Sequence, residues 1–223
     1  MTDDLPKAVR TWLQKRDWSL FPHQQDLLQK GRANQSALLI APTGGGKTLA
    51  GFLPTLVDLI EKPEHQGLHT LYISPLKALT VDIERNIMIP IDEMSLDIKC
   101  ETRTGDTSPS KRQRQRHNPP QILLTTPESL ALMLSYQDSA RIFGSLKSVI
   151  LDELHALSGT RRGDLLSLGL ARLRRLSPEL RFTGLSATVA DEDSLTDYMF
   201  GDVEIVKAKE ISKPDITIHQ SEQ

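Results

Sequence analysis

Short aliphatic or β-branched runs recur along the chain at 37–41, 70–74, 98–101, 122–125, 149–152, 182–186 and 203–206. Between several of them lie longer stretches with apolar residues at helical spacing, at 49–61, 78–88, 129–135 and 165–176. This alternation predicts parallel β–α–β units: an α/β domain with a mostly parallel central sheet and helices on both faces. In such a sheet ligands gather beyond the carboxyl ends of the strands, so the chemistry is expected where a strand gives way to a loop. The stretch 1–20 predicts a leading helix carrying Trp12 and Trp18, read as packing anchors or as platforms for stacked bases. Residues 108–120 form a charged, proline-bounded excursion. After Val206 the composition turns polar, and Lys213-Pro214 breaks the chain before a short segment at 216–219. That end reads as a linker or an opening strand.

Composition narrows this picture. A chain of 223 residues can bury the core of one large α/β domain. The formal net charge of −2 excludes a generally basic coat, so contact with a polyanion must be local. The basic run 111–117 reads as a solvated helix face, or as an edge that brushes nucleic acid. The single cysteine, Cys100, cannot form an intrachain disulfide and sits in an apolar-alternating stretch, which suits core filling better than nucleophilic chemistry. The N-terminus has no apolar core of a signal peptide, and no run approaches the ~20 apolar residues of a membrane span. The cytoplasm is the expected location.

The strongest chemical signal is Ala41-Pro42-Thr43-Gly44-Gly45-Gly46-Lys47-Thr48, which follows an aliphatic strand and opens a helical run. Its spacing is that of a phosphate-binding loop with alanine at the first glycine position. Glycines let the backbone turn its N–H groups around phosphate oxygens, and the helix N-terminus adds its dipole. Lys47 is placed for the β- and γ-phosphates of ATP, and the Thr48 hydroxyl for Mg²⁺. A second signal is Val149-Ile150-Leu151-Asp152-Glu153-Leu154-His155, an apolar strand ending in adjacent carboxylates. Two such charges are costly to bury without a cation and ordered water. Asp152 is therefore expected to reach Mg²⁺ through its water shell, and Glu153 to orient the attacking water. His155 lacks Cys/His partners at zinc spacing, which leaves a coupling hydrogen bond as its expected role.

With the phosphate loop, Asp152-Glu153-Leu154-His155 resembles motifs I and II of superfamily 2 helicases in the DEXH form. Phe21-Pro22-His23-Gln24 resembles the Q motif, which implies that Gln24 reads the adenine edge beside an aromatic or apolar neighbour. Ser74-Pro75-Leu76-Lys77-Ala78-Leu79 resembles motif Ia, Thr102-Arg103-Thr104-Gly105-Asp106 motif Ic, and Thr125-Thr126-Pro127-Glu128 motif Ib. Ser186-Ala187-Thr188 resembles motif III, which couples hydrolysis to nucleic-acid movement. Lys77, Thr104 and Thr126, beside exposed backbone amides, are groups that contact phosphates without reading sequence. Taken singly, the hydroxyls equally suit helix capping.

Asp152 to Leu157, then Arg161-Arg162-Gly163-Asp164 and Leu170-Ala171-Arg172-Leu173-Arg174, narrow the likeness to the Lhr family and its ligase-associated branch. The resemblance implies a RecA-like ATP-binding domain over 21–208, preceded by a helical lead-in at 1–20. It implies that 209–223 is a linker or the start of a second RecA-like domain, which would supply motifs IV to VI and an arginine finger. The implied partners are single-stranded DNA, or RNA, and DNA-repair proteins such as an associated DNA ligase; no membrane is implied. A nucleotide-switched binding module that grips without moving is the reading from another class.

Overall fold

Among the described residues, seven strands form one sheet in which every pairing is parallel. They are β1 (Ser36–Ile40), β2 (Thr70–Ile73), β3 (Cys100–Arg103), β4 (Ile122–Thr125), β5 (Ser148–Leu151), β6 (Arg181–Ser186) and β7 (Val203–Lys207). Their order across the sheet is β3-β4-β2-β5-β6-β1-β7. The computed structural model describes residues 5–187, 191–200 and 202–209. Thr188, Lys213-Pro214, the segment at 216–219 and nearly all of the proposed linker lie outside the described residues.

The helices are α1 (Lys7–Lys15), α2 (Pro22–Arg32), α3 (Lys47–Glu61), α4 (Lys77–Glu93), α5 (Pro109–His117), α6 (Pro127–Leu134), α7 (Ser139–Phe143), α8 (Arg161–Leu176) and α9 (Glu192–Tyr198). A single 3₁₀ turn, Leu154–Ala156, follows β5. Alternation along the strands feeds two cores. Val149 and Leu151 of β5 join Leu130, Leu166 and Leu170 on the face covered by α6 and α8. Ile150 faces the other way, toward Phe52, Tyr72 and Ile87 under α3 and α4. The inner strands β2, β4 and β5 are buried on both sides, which is why their runs are largely apolar, whereas the edge strand β7 exposes Glu204, Ile205 and Lys207.

Several boundaries differ from expectation for identifiable reasons. The third strand is Cys100–Arg103 rather than 98–101, because its ladder with β4 starts at Cys100 opposite Ile122. Helix α4 runs past 88 to Glu93, through Pro90. Burial of Pro90 and Ile91 compensates for the backbone bond that proline cannot donate. The leading helix ends at Lys15, with Asp17 at φ +52, so Trp18 lies beyond it. Trp12 is the buried anchor; Trp18 is 50% exposed and packs edge-on against it, at 5.7 Å between ring centres. The charged excursion is helix α5, and the sequence pattern had not marked α2, α7 or α9. Among the described residues no helix is long and apolar enough to cross a membrane.

Candidate functional site

Because β5, β6 and β1 are neighbours, the loops that follow them share one corner of the sheet. After β1 the chain turns through Gly44 at φ +80 and Gly46 at φ +72, and α3 starts at Lys47. At Gly46 it is the positive φ that favours glycine, and a β-carbon there would also press on the Gln24 amide at 2.7 Å. Lys47 Nζ donates to the carbonyls of Ala41 (2.9 Å) and Pro42 (3.2 Å), which holds the ammonium over the loop that Pro42, Thr43 and Gly45 complete. Charged phosphate oxygens are stronger acceptors than these carbonyls.

Asp152 follows β5 directly, still tied to the sheet by its N–H to the Ile73 carbonyl (2.9 Å). It is 8% exposed, and burial raises its carboxyl above the usual range while Lys47 and a hydrogen bond from Tyr72 pull the other way. Glu153 adopts a left-handed conformation, φ +48 and ψ +43, which a non-glycine residue holds at a cost of about 1–3 kcal/mol. That twist turns the chain sharply into the 3₁₀ turn. His155 lies between Glu153 and β6: Nε2 is 3.4 Å from Glu153 Oε2, and Nδ1 is 2.9 Å from the buried Ser186 Oγ. Ser186 in turn accepts the Ala41 N–H through its carbonyl at 3.1 Å, so one residue touches both the phosphate loop and the carboxylate turn.

No group of three or more His, Cys, Asp or Glu among the described residues could cage a metal. The Asp152 carboxylate and the Thr48 hydroxyl instead suit a Mg²⁺ ion that keeps waters and phosphate oxygens as its other ligands. At the far end of the loop, Gln24 accepts from the Phe21 N–H (2.9 Å) and donates to the Gly46 carbonyl (3.2 Å). His23 Nε2 contacts the Gly45 carbonyl at 2.8 Å, so α2 is fastened to the glycines twice. Phe21 remains 41% exposed beside Gln24, with its ring stacked on His23 at 5.5 Å between centres.

The other half of the sheet, β3-β4-β2, brings the remaining motifs into one groove. Pro75, Lys77, Thr104, Gly105, Thr126 and Glu128 line it, with Arg112 and Arg162. Pro127 opens α6 beside it, behind Thr126, the residue that caps that helix by accepting from the Ser129 N–H. Thr104 Oγ1 accepts from the Asp106 N–H at 3.3 Å. Thr126 therefore caps a helix, whereas Thr104 closes a turn two residues long. The acidic members of the set are counter-ions: Asp106 holds Lys77 Nζ at 3.0 and 3.2 Å, and Glu128 takes two bonds from Arg162 at 2.6 and 3.2 Å. Arg162 accordingly holds the Glu128 carboxyl below the usual range.

The basic run is committed within the molecule. Arg112 donates to the Gly105 carbonyl at 2.5 Å, Arg114 pairs with Glu101 through two bonds of 2.8 Å, and Arg116 pairs with Asp138. Cys100 is buried and free. Sequence reasoning missed Arg112, Arg162 and Tyr72. Arg162 stands in the quoted Arg161-Arg162-Gly163-Asp164 run, and Tyr72 is the only polar atom-bearing ring in an aliphatic strand, where a buried hydroxyl needs a partner.

A wholly parallel α/β sheet with a glycine phosphate loop, adjacent carboxylates and a serine between them defines a RecA-like nucleotide-binding domain of the helicase class. The DEAD/DEAH box helicase family matches residues 21–195. Helicase Lhr-Core of Methanocaldococcus jannaschii is 37% identical over 88% of this chain and 25% of its own length. The Lhr helicase/probable uracil glycosylase of Mycolicibacterium smegmatis is 40% identical over 86% of this chain and 14% of its own. The solved structure of Mycobacterium smegmatis helicase Lhr bound to single-stranded DNA and AMP-PNP superposes with a TM-score of 0.87 at 36% identity, over 93% of this chain and 28% of that one. The chain belongs to the DEAD/DEAH box helicase family and is a helicase domain of the Lhr type, as its motifs led us to expect. It spans a quarter or less of the two curated relatives described above.

Proposed function

We propose that residues 21–208 are the nucleotide-gripping half of a motor that hydrolyses ATP·Mg²⁺ to move along single-stranded DNA. One observation carries this reading: strand order separates a phosphate-binding corner, β5-β6-β1, from a groove at the ends of β3-β4-β2, on one edge of one sheet. In the corner, the loop amides and Lys47 bind the phosphates, Gln24 and Phe21 receive the adenine, and Glu153 orients the attacking water. Mg²⁺, held through Thr48 and through the water shell of Asp152, neutralises charge on the phosphates. Ser186, His155 and Thr188 transmit the hydrolysis state.

In the groove, Lys77, Arg162 and the amides near Thr104 and Thr126 follow the strand's phosphates. DNA is favoured over RNA because the Lhr structure, 36% identical to this chain, is bound to single-stranded DNA. We place the motor in the cytoplasm and in DNA repair, within the ligase-associated branch and so with a DNA ligase as a partner. A second RecA-like domain would supply the arginine finger, which is worth about 10³–10⁵ in rate in other NTPases. The segment 209–223 would lead to it, and 1–20 would brace α3 from outside.

The test compares residues 1–223 with a protein extended through that second domain. ATPase rates are measured with and without single-stranded DNA and RNA, alongside Lys47→Ala and Glu153→Gln. Lys47→Ala should lose nucleotide binding, and Glu153→Gln should bind and turn over orders of magnitude more slowly. DNA should stimulate only the extended form. Equal rates for Lys47→Ala and the parent would remove the ATPase reading; stimulation by RNA alone would make RNA the track.

A further inference from the structure

We propose that Tyr72 is a positioning residue for the nucleotide-bound metal, holding Asp152 in the one orientation that leaves a carboxylate oxygen free for the metal's water shell. The inference rests on the ATP·Mg²⁺ reading above and names a residue which that reading does not use. Tyr72 lies in the middle of β2 and is completely buried. Its hydroxyl donates to Asp152 Oδ2. The ring stacks on Phe52 of α3, with centres 5.3 Å apart and planes 22° apart. The side chain thus links the helix that begins at Lys47 to the residue that follows β5.

Three physical points support the assignment. The other hydroxyl on this face of β2, that of Thr70, is matched by Thr55 at 2.9 Å, and the Tyr72 hydroxyl is likewise unfavourable in the core unless a partner repays its desolvation. The Asp152 carboxylate is that partner, accepting from the phenol across 80 residues of sequence. Asp152 is itself only 8% exposed, and a hydrogen bond from a neutral hydroxyl holds it without adding a competing cation. With Oδ2 accepting from the phenol and the Glu153 backbone also bonded to the carboxylate, its rotation is restricted, and the lone pairs that remain are directed to the metal's water shell. Outer partners of this kind typically alter metal affinity or activity about 10–100-fold when removed.

The experiment reads metal affinity rather than turnover. A fluorescent ATP analogue is bound to the 223-residue chain at a series of Mg²⁺ concentrations, in the parent, Tyr72→Phe, Asp152→Asn and the double variant. Tyr72→Phe keeps the ring and its stacking, and thermal melting checks the fold. The expected result is a Mg²⁺ half-saturation raised about 10–100-fold by Tyr72→Phe in the parent background. In the Asp152→Asn background Tyr72→Phe should add nothing, because non-additivity is the signature of one residue acting through another. Phe52→Leu, which removes the stacking and keeps the hydroxyl, should leave the half-saturation near the parent's. An unshifted Tyr72→Phe, an equal shift in both backgrounds, or an equal shift from Phe52→Leu would each overturn the inference. A Lys47→Ala control that binds the analogue like the parent would instead bring down the nucleotide site itself.

Discussion

Neutralising Glu128 should tighten single-strand binding, although Glu128 belongs to a motif associated with nucleic-acid contact. In the structure its carboxylate occupies Arg162 through bonds of 2.6 and 3.2 Å, on the wall of the groove that also presents Lys77. Both partners are substantially solvated, so releasing Arg162 recovers only the strength of an exposed pair, about 0.2–1 kcal/mol. A phosphate ~7 Å from the carboxylate would be repelled by about 0.6 kcal/mol in water, reduced to roughly 0.25 kcal/mol by physiological salt. The sum, about 0.5–1.2 kcal/mol, corresponds to roughly 2–8-fold tighter binding by Glu128→Gln. The freed guanidinium should also add a phosphate contact and steepen the log–log salt dependence by about 0.7. Fluorescence polarisation of a labelled oligonucleotide across a salt series measures both quantities. Weaker binding with an unchanged slope would mean that Glu128 accepts hydrogen bonds from the nucleic acid itself, and the counter-ion argument would fail.

Two further predictions concern other parts of the molecule. His69 is buried against Thr70 Oγ1 (2.8 Å), and burial pushes its imidazole down to about 3, well below its unfolded value. The unfolded chain therefore takes up the proton first, and the stability that His69 contributes above its unfolded pKa is lost as pH falls toward 3, by up to about 1.4 kcal/mol per pH unit. His69→Asn should flatten the decline in denaturant midpoint between neutral pH and pH ~5; an unchanged profile would show that the imidazole is not buried neutral. Gln24→Ala should erode the preference for ATP over GTP, read by competition binding; an undiminished preference would take adenine reading away from Gln24.

How much of this was legible beforehand depends on how local the cause is. The inner strands announced themselves because they are buried on both faces, so that Ile122-Leu123-Leu124 or Val149-Ile150-Leu151 must be apolar throughout. Helix α2 did not, because its polar sequence buries only part of its surface and its start is set by Pro22 and by Gln24 reaching back to the Phe21 N–H. The short helices α7 and α9 carry too few apolar positions to show a period. The strand order cannot be read from any single run, since it follows from which crossovers pack together. Yet it is the order that makes two sites out of a series of motifs.

The site divides along the same line. The glycine loop was readable because its chemistry is contiguous: backbone geometry, lysine and hydroxyl lie within eight residues, Ala41 to Thr48. The strained turn at Glu153 was not, since a positive φ leaves no trace in composition when the residue is not glycine. In the groove, charge adds what motif position does not carry. Asp106 and Glu128 stand in motifs that resemble nucleic-acid contacts, and position alone credits every residue of a motif with the same role. Charge decides otherwise: a carboxylate facing a phosphodiester is repulsive, so it must either point away or hold a cation. Here both hold one, Lys77 and Arg162. The cation on Glu128 comes from α8, which follows the carboxylate turn, so groove and catalytic corner share an element. That link joins segments 34 residues apart in sequence, and only folding brings them together.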